Sequence, residues 1–510
     1  MRTNKLKRSE KKRLKEEERE QRLREREIAR LRRKKNRTLT FVSAFFILIF
    51  VSLIGYLAYF DAIKSEDFIN SPYNTRQDTF SDRVVRGSIQ SSDGEVLAQT
   101  NVYEDGTEER TYPFSNIFAH AVGYDTNGKS GLESEANFQL LTSHSFFLEQ
   151  MKNEFLGKKN QGDTVISSLN ADLQTTAYNS LGDRRGAVVV LEPSTGRILA
   201  MVSKPDFDPN TIEQDWDALI NDDSNSSLFN RALQGQYPPG STFKIITMSA
   251  GLSEGVVSPN DSFFCPGYKI VEDRRIHCHK RTGHGAENFV QGAQNSCNPV
   301  FIEVGLRLGV EKFCDYFRNF GLREKTEIDL PGEASTIMHK EENIGEVELA
   351  TMAFGQSFQI TPIRLAATVS ALVNGGKMVT PHVATDVLDE EENVVKHLNF
   401  PKKEGVLSEE TSRTVREILE SVVSEGSGKN AYLEGYSIGG KTATSQTLPR
   451  SANRYISSFL GFTPAEHPTV LGLCIIRNPQ GVYYGGTICA PVIRDIFSNV
   501  LPYLGIGHNS

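Results

Sequence analysis

The sequence predicts an α+β protein: a mainly antiparallel sheet flanked by helices, held at a membrane by one N-terminal helix and raised from it on a small pedestal. Three observations carry this. Leu39 to Phe60 is a run of 22 residues without a charge. Strand patterns occur at both ends of the region beyond residue 160, near 186–202 and 436–477. Between them lie helical patterns around Pro299–Leu308, Glu348–Phe354, Pro362–Leu372 and Ser408–Ser424, an order expected of an α+β core.

The first 38 residues hold 18 Lys and Arg against 7 Asp and Glu, a net of +11, whereas the whole 510-residue chain is −7, which leaves −18 for the rest. Leu39–Phe60 as a helix is about 33 Å long, enough to cross a bilayer core. The basic tail places residues 1–38 in the cytoplasm and everything after Phe60 outside it. Anionic lipid accounts for the tail's charge, so no nucleic acid is called for. A cleaved leader would carry a shorter charged region and a small-residue cleavage site, and neither is evident around Phe60. Six cysteines, all beyond residue 260, are few for a compartment that permits disulfides, so a hydrophobic core must hold the fold.

Residues 61–160 read as the pedestal. Arg83–Gln90 is expected as one strand, returning through a Ser92-Asp93-Gly94 turn into Glu95–Ala98; a helix starts at Gly131. Residues 161–505 form the main domain. There Gly162–Ile166 is a strand, followed by a helix with apolar spacing at Leu169, Leu173, Ala177 and Leu181, and Gly186–Leu191 and Ile198–Val202 are an antiparallel pair around Pro193–Gly196. The closing strands lie near 436–446, 455–462 and 469–477, with a last helix from Pro491.

Three short clusters could carry chemistry. In Pro238-Pro239-Gly240-Ser241-Thr242-Phe243-Lys244, Ser241 reads as the cap of a helix running to about Leu252, with Lys244 one turn on and on the same face. A buried lysine there loses its charge readily and can serve as base to a serine nucleophile. Ser296-Cys297-Asn298, on a loop between helices, offers a second hydroxyl to pass a proton and an amide to hold a peptide carbonyl. Gly439-Gly440-Lys441-Thr442-Ala443-Thr444 sits inside a strand. The glycines allow another chain to approach, and Lys441 and Thr442 suit a carboxylate. A phosphate loop would need a helix after the motif, and here a polar strand continues to Gln446.

Taken together and in this order, the clusters resemble the three motifs of the penicillin-recognising serine transpeptidases, and Arg86–Ile89 with Gly94–Ala98 resembles the pedestal of class B penicillin-binding proteins. Gly186–Asn210, Phe354–Ser357, Ser457–Pro464 and Gly485–Val492 are similar to further family segments, so the resemblance covers residues 70–505. It implies a peptidoglycan D,D-transpeptidase. Ser241 would attack the penultimate D-Ala carbonyl of a stem peptide on a lipid-linked precursor or the wall, and β-lactams would acylate the same serine. Lys244 would be the base, Ser296 the proton shuttle, Asn298 an amide ligand, and Lys441 and Thr442 the carboxylate site. The N–H groups of Ser241 and Thr444 would form the oxyanion hole. The resemblance implies no required cofactor. It implies a glycan polymerase of the shape, elongation, division and sporulation type as partner, with other divisome or elongasome proteins. A D,D-carboxypeptidase and a catalytically weak scaffold or β-lactam sensor are the alternatives. One departure stands out: the glycine of the third motif is Ala443.

Cys265, His277, Cys278, His279 and His284 crowd ahead of the second motif, and Cys297 lies inside it. Zinc at Cys265, His277, Cys278 and His284, a Cys265–Cys278 disulfide, and free thiols on a surface loop are all open at this point.

Overall fold

The computed structural model describes residues 2–60 and 81–503. They fall into two units, divided at Ser71.

The first unit is one helix, Arg2–Tyr59, whose apolar part is long enough to cross a membrane and buries nothing within the protein. The mixed acids and bases of the tail continue that helix; their i,i+4 spacing includes Arg24 with Glu20.

The second unit is built on a five-stranded antiparallel sheet: β1 Gly186–Leu191, β2 Ile198–Lys204, β3 Gly439–Gln446, β4 Tyr455–Thr463 and β5 Val470–Arg477, in spatial order β3-β4-β5-β1-β2. Both faces are covered, so β1 reads as an unbroken apolar run. Val188 and Val190 pack on α1 (Ala171–Leu181) and α6 (Ala490–Tyr503) through Leu173, Ala177, Ile493 and Phe497. Ala187, Val189 and Leu191 join the larger core on the other face. That core holds α2 (Lys244–Ser253), α3 (Asn298–Asn319), α4 (Pro362–Val373) and α5 (Glu409–Ser424). The first eight residues of α2 are all buried, as befits a helix inside the domain.

The expected strand Arg83–Gln90 is two strands. Val84–Val85 pairs in parallel with Asn160–Gln161, and Ile89–Gln90 pairs with Val96–Ala98. Gly87 breaks the run: its N–H donates to Leu140 O at 2.8 Å, and a Cβ there would stand 1.9 Å from Asp163 O. Beside it Arg86 turns inward. Its guanidinium donates to Glu133 Oε2 at 2.7 Å and Asn137 Oδ1 at 2.5 Å, while Arg110 Nε donates to Glu133 Oε1 at 2.7 Å. Glu133 is fully buried; burial pushes its pKa up, but the two arginines outweigh that and hold it below the usual carboxylate range. Nothing in the sequence pattern announced this triad.

The pedestal sheet has six strands. Glu108–Thr111, Val96–Val102 and Ile89–Gln90 are followed by Thr164–Ser167, Ala384–Leu388 and Val394–His397. Its last two strands come from far along the chain, between α4 and α5. Asp329 secures the junction by accepting from the N–H groups of Val383 and Ala384, both at 2.7 Å.

Candidate active site

Ser241 does not cap a helix. It lies in a 3₁₀ turn, Gly240–Phe243, and α2 begins only at Lys244. Two contacts fix that turn. Gly240, at φ +58°, donates its N–H to Gly355 O at 2.9 Å, and a Cβ on Gly355 would lie 2.0 Å from Gly240 O, so two backbones touch where neither residue has a side chain. Phe243 is wholly buried among Phe313, Phe317 and Phe358, with the Phe358 ring 4.7 Å away and edge-on. Ser241 is thus left half-buried at the floor of a cleft of about 400 Å³.

Lys244 is fully buried beneath that cleft. Its Nζ donates to Ser296 O at 2.7 Å, Ser296 Oγ at 3.2 Å and Asn298 Oδ1 at 2.8 Å. The expected direct bond to Ser241 is not made, and the Ser241 hydroxyl has no hydrogen-bond partner among the described residues. One helical turn brings the two residues together, but the second motif supplies three better-placed acceptors. Burial lowers the Lys244 pKa to about 8.

The second motif is shaped to present those acceptors. A helix capped by Asn288 ends at Gln294; Ser296 then takes φ +52°, and α3 starts at Asn298 with Pro299 in its first turn. Asn298 is fixed from the other side by donating Nδ2–H to His277 O at 3.1 Å.

The third motif is the edge of the main sheet. On β3, Lys441 and Ala443 face the nucleophile turn, while Thr442 and Thr444 face Ser427 and Gly485: Thr442 Oγ1 donates to Ser427 Oγ at 3.4 Å and Gly485 N–H donates to Thr444 Oγ1 at 3.0 Å. Lys441 is buried, and burial, with the nearby Lys244 charge, drives its pKa well below the usual lysine value. The two glycines before it serve the sheet and not a visiting chain. A Cβ at Gly439 would be 2.3 Å from the Phe462 ring, and one at Gly440 would be 2.7 Å from Phe459. Ala443 is buried, and its methyl would stand 3.4 Å from a Cβ placed at Gly240, an ordinary contact; the atom such a Cβ would strike is Ser445 Oγ, 2.0 Å away.

Ser241, Ser296, Asn298, Thr442 and Thr444 therefore line one cleft, with Lys244 and Lys441 under it. The cleft is also lined by Phe354, Gln356, Ser427, Asn430, Tyr484 and Thr487, none of which the sequence reading assigned to the site. The glycines at 355 and 485–486, which flank four of them (Phe354, Gln356, Tyr484 and Thr487), were the available signal.

A model of the penicillin-binding protein transpeptidase domain matches residues 186–498. The chain belongs to this family. A second model, the penicillin-binding protein A dimerisation domain, matches residues 86–165, which begin within the pedestal and end inside its strand Thr164–Ser167. Among curated relatives, stage V sporulation protein D of Bacillus subtilis is 39% identical over 438 residues, covering 81% of this chain and 66% of that one. The peptidoglycan D,D-transpeptidase MrdA of Acinetobacter baumannii is 29% identical over 448 residues, covering 76% and 65%. The chain thus spans slightly under two thirds of each. The solved D,D-transpeptidase domain of a peptidoglycan glycosyltransferase from Eggerthella lenta superposes with a TM-score of 0.75 at 27% identity, covering 83% of this chain and all of that one. The antiparallel sheet with helices on both faces is the fold of these penicillin-binding proteins.

Proposed function

We propose that this chain is a membrane-anchored peptidoglycan D,D-transpeptidase that works through an acyl-serine. The observation that carries the reading is the buried Lys244 ammonium, bonded to Ser296 and Asn298 under the cleft that Ser241 lines, with a Ser241 hydroxyl that no group among the described residues engages. With its pKa lowered to about 8, Lys244 is neutral in roughly a tenth of molecules at pH 7 and can take the Ser241 proton once substrate draws that hydroxyl into line. Ser241 Oγ then bonds to the penultimate D-Ala carbonyl carbon. The oxyanion forms against the N–H groups of Ser241 and Thr444. The peptide C–N bond breaks as Ser296 relays the proton from Lys244 to the departing D-Ala amine. An acceptor amine on a neighbouring strand reverses these steps, restoring the hydroxyl and leaving a cross-link.

Substrate lies along β3, whose outer edge pairs with no strand among the described residues, so its backbone groups can bond a peptide as a further strand. Asn298 holds a substrate amide. Lys441 and Thr442 attract the terminal carboxylate. A β-lactam presents the same carbonyl and carboxylate and is taken for substrate. None of these steps requires a cofactor. The basic tail puts the helix N-terminus in the cytoplasm and the cleft outside it. The pedestal and helix are the surfaces for a glycan polymerase and its division or elongation partners.

Intact mass of the chain after penicillin treatment tests this. One penicilloyl adduct is expected, absent in Ser241→Ala; no adduct, or an adduct that survives the substitution, overturns the mechanism.

A further inference from the structure

The thiols ahead of the second motif lie outside the mechanism. All six cysteines of the chain are free, so the disulfide alternative is not the arrangement found. His277 is exposed, with its ring near Tyr268, and strand alternation turns it away from Cys278. The expected set of His277 with Cys265, Cys278 and His284 does not assemble, and Cys297 stands in the place of His277. A cluster of arginines at the end of the main sheet also lies outside the mechanism.

We propose that this cluster, Arg185, Arg454 and Arg477, is a further substrate site, which takes the carboxylates of the donor stem peptide upstream of its two D-alanines. The three line a groove of about 770 Å³. They meet because three strand ends meet there. Arg185 directly precedes β1, Arg454 directly precedes β4, and Arg477 ends β5. The backbone fixes them in place: Arg477 N–H donates to Arg185 O at 2.7 Å, and Thr447 N–H donates to Arg454 O at 2.9 Å.

The positive charge of this groove is uncompensated. Asp223 is the single acid among its lining residues, and none of the three arginines makes an ion pair with a described residue. Arg185 is held by backbone instead. Its Nη1 donates to Ser224 O at 2.8 Å and its Nη2 to Asn225 O at 3.0 Å, while its buried Nε has no acceptor among the described residues. The field reaches inward: burial first, then the charges of Arg185 and Arg477, lower the pKa of Arg231 to about 10. Yet the chain beyond residue 38 carries a net −18. Guanidiniums gathered against that balance repel one another until an anion joins them.

The proposed path of substrate leads to this groove. With the terminal carboxylate at Lys441 and Thr442 and the scissile carbonyl at Thr444, the upstream residues run toward Gln446, the end of β3. Gln446 pairs with Tyr455, which lines the groove. An aromatic row covers the interval. Tyr455 stacks on Tyr483 with ring centroids 4.2 Å apart, and Tyr483 is 4.7 Å from Tyr484, which lines the active-site cleft. An extended peptide advances about 3.3 Å per residue, as β3 does, so the residues just upstream of the D-alanines come level with Gln446 and the turn into Arg454. Stem peptides carry free carboxylates there, and the planar guanidinium fork matches a carboxylate. The direction of the peptide rests on the transpeptidase reading; the affinity of the groove for carboxylates does not.

The test uses the full chain in detergent and two dye-labelled peptides ending in D-Ala-D-Ala, alike except that the upstream carboxylates of one are amidated. By fluorescence anisotropy the free-carboxylate peptide should bind about tenfold tighter than the amidated one. Arg454→Gln combined with Arg477→Gln, both exposed residues, should remove that preference, and Arg413→Gln, exposed on α5, should keep it. Equal wild-type affinity for the two peptides overturns the groove, as does a preference that the double variant keeps or that Arg413→Gln also loses. Equal affinity for the peptides together with binding of poly(glycerol phosphate) that the double variant loses would overturn it in favour of a phosphate polymer. Chain that prefers the free-carboxylate peptide but takes no penicillin would refute the transpeptidase reading and leave the carboxylate site standing. Chain that takes penicillin at Ser241 and shows no preference would do the reverse.

Discussion

Lys244 and Lys441 are both buried lysines of one cleft, yet they differ in what holds them. Lys244 has three oxygen acceptors, which favour its charged form and limit the effect of burial. Lys441 donates to Thr442 O at a long 3.4 Å and feels the Lys244 charge besides, so its protonated form gains most from an incoming carboxylate. The first lysine is therefore suited to give and take a proton, the second to wait for an anion. The sign of the pH dependence follows. The proposed base is active when neutral, so acylation by a β-lactam rises with pH and bends over as Lys244 loses its proton near pH 8. Stopped-flow acylation rates between pH 6 and 9 should trace that limb, and Lys244→Ala should abolish it. A rate falling across that range would exclude Lys244 as the base. Residue types, spacing and the family resemblance marked Ser241, Lys244, Ser296 and Asn298 as candidates, and the structure brings the four together. Types and spacing were not enough to give the hydrogen bond that matters, because sequence distance along a helix says nothing of competing acceptors 52 and 54 residues away.

At the scale of elements, the strands and helices of the main domain were legible because each obeys one period. β1 is an apolar run, α5 has a strongly one-sided apolar face, and α4 has Thr361 and Pro362 at its start. The pedestal was less legible because its short strands are set by tertiary contacts. Val84–Val85 and Ile89–Gln90 are separated by a glycine that must pass between two carbonyl groups and an arginine that must reach Glu133. Burying Glu133 is tolerable only with both guanidiniums in place. Removing the carboxylate in Glu133→Ala leaves Arg86 and Arg110 as buried, unpaired charges, and about 3–5 kcal/mol of stability should go with it. Urea unfolding of the wild type and variant measures this. A loss below about 1 kcal/mol would put the triad in the class of exposed ion pairs.

For the whole molecule, the relation between pedestal and catalytic domain decides how the chain behaves. The sequence drew a boundary at about residue 160, where the character of the chain changes. Three strands of the pedestal sheet lie beyond that line: Thr164–Ser167, then Ala384–Leu388, which pairs with it from Ala384↔Ser167 to Leu388↔Thr164 across a bulge at Thr385, and Val394–His397. No local pattern could reveal this, since the second strand arrives after more than 200 residues. Further contacts bind the two parts. Tyr112 N–H donates to Asn210 Oδ1 at 2.9 Å and Asn210 Nδ2 donates back to Tyr112 O at 3.0 Å; Asn116 Nδ2 donates to Tyr178 Oη at 2.7 Å. One apolar core takes in Leu97, Phe118 and Leu132 of the pedestal together with Leu233 and Phe243 of the catalytic domain. Such parts cannot melt separately without stripping the pedestal of its inner strands and opening that core, so residues beyond Pro72 should unfold as one cooperative unit. Calorimetry of the full chain in detergent should give a single ectodomain transition, and a β-lactam bound at Ser241 should move the whole of it. Two transitions, with only the later one moved by the drug, would mean that the pedestal is an independent module and that strand Ala384–Leu388 is a detachable strap.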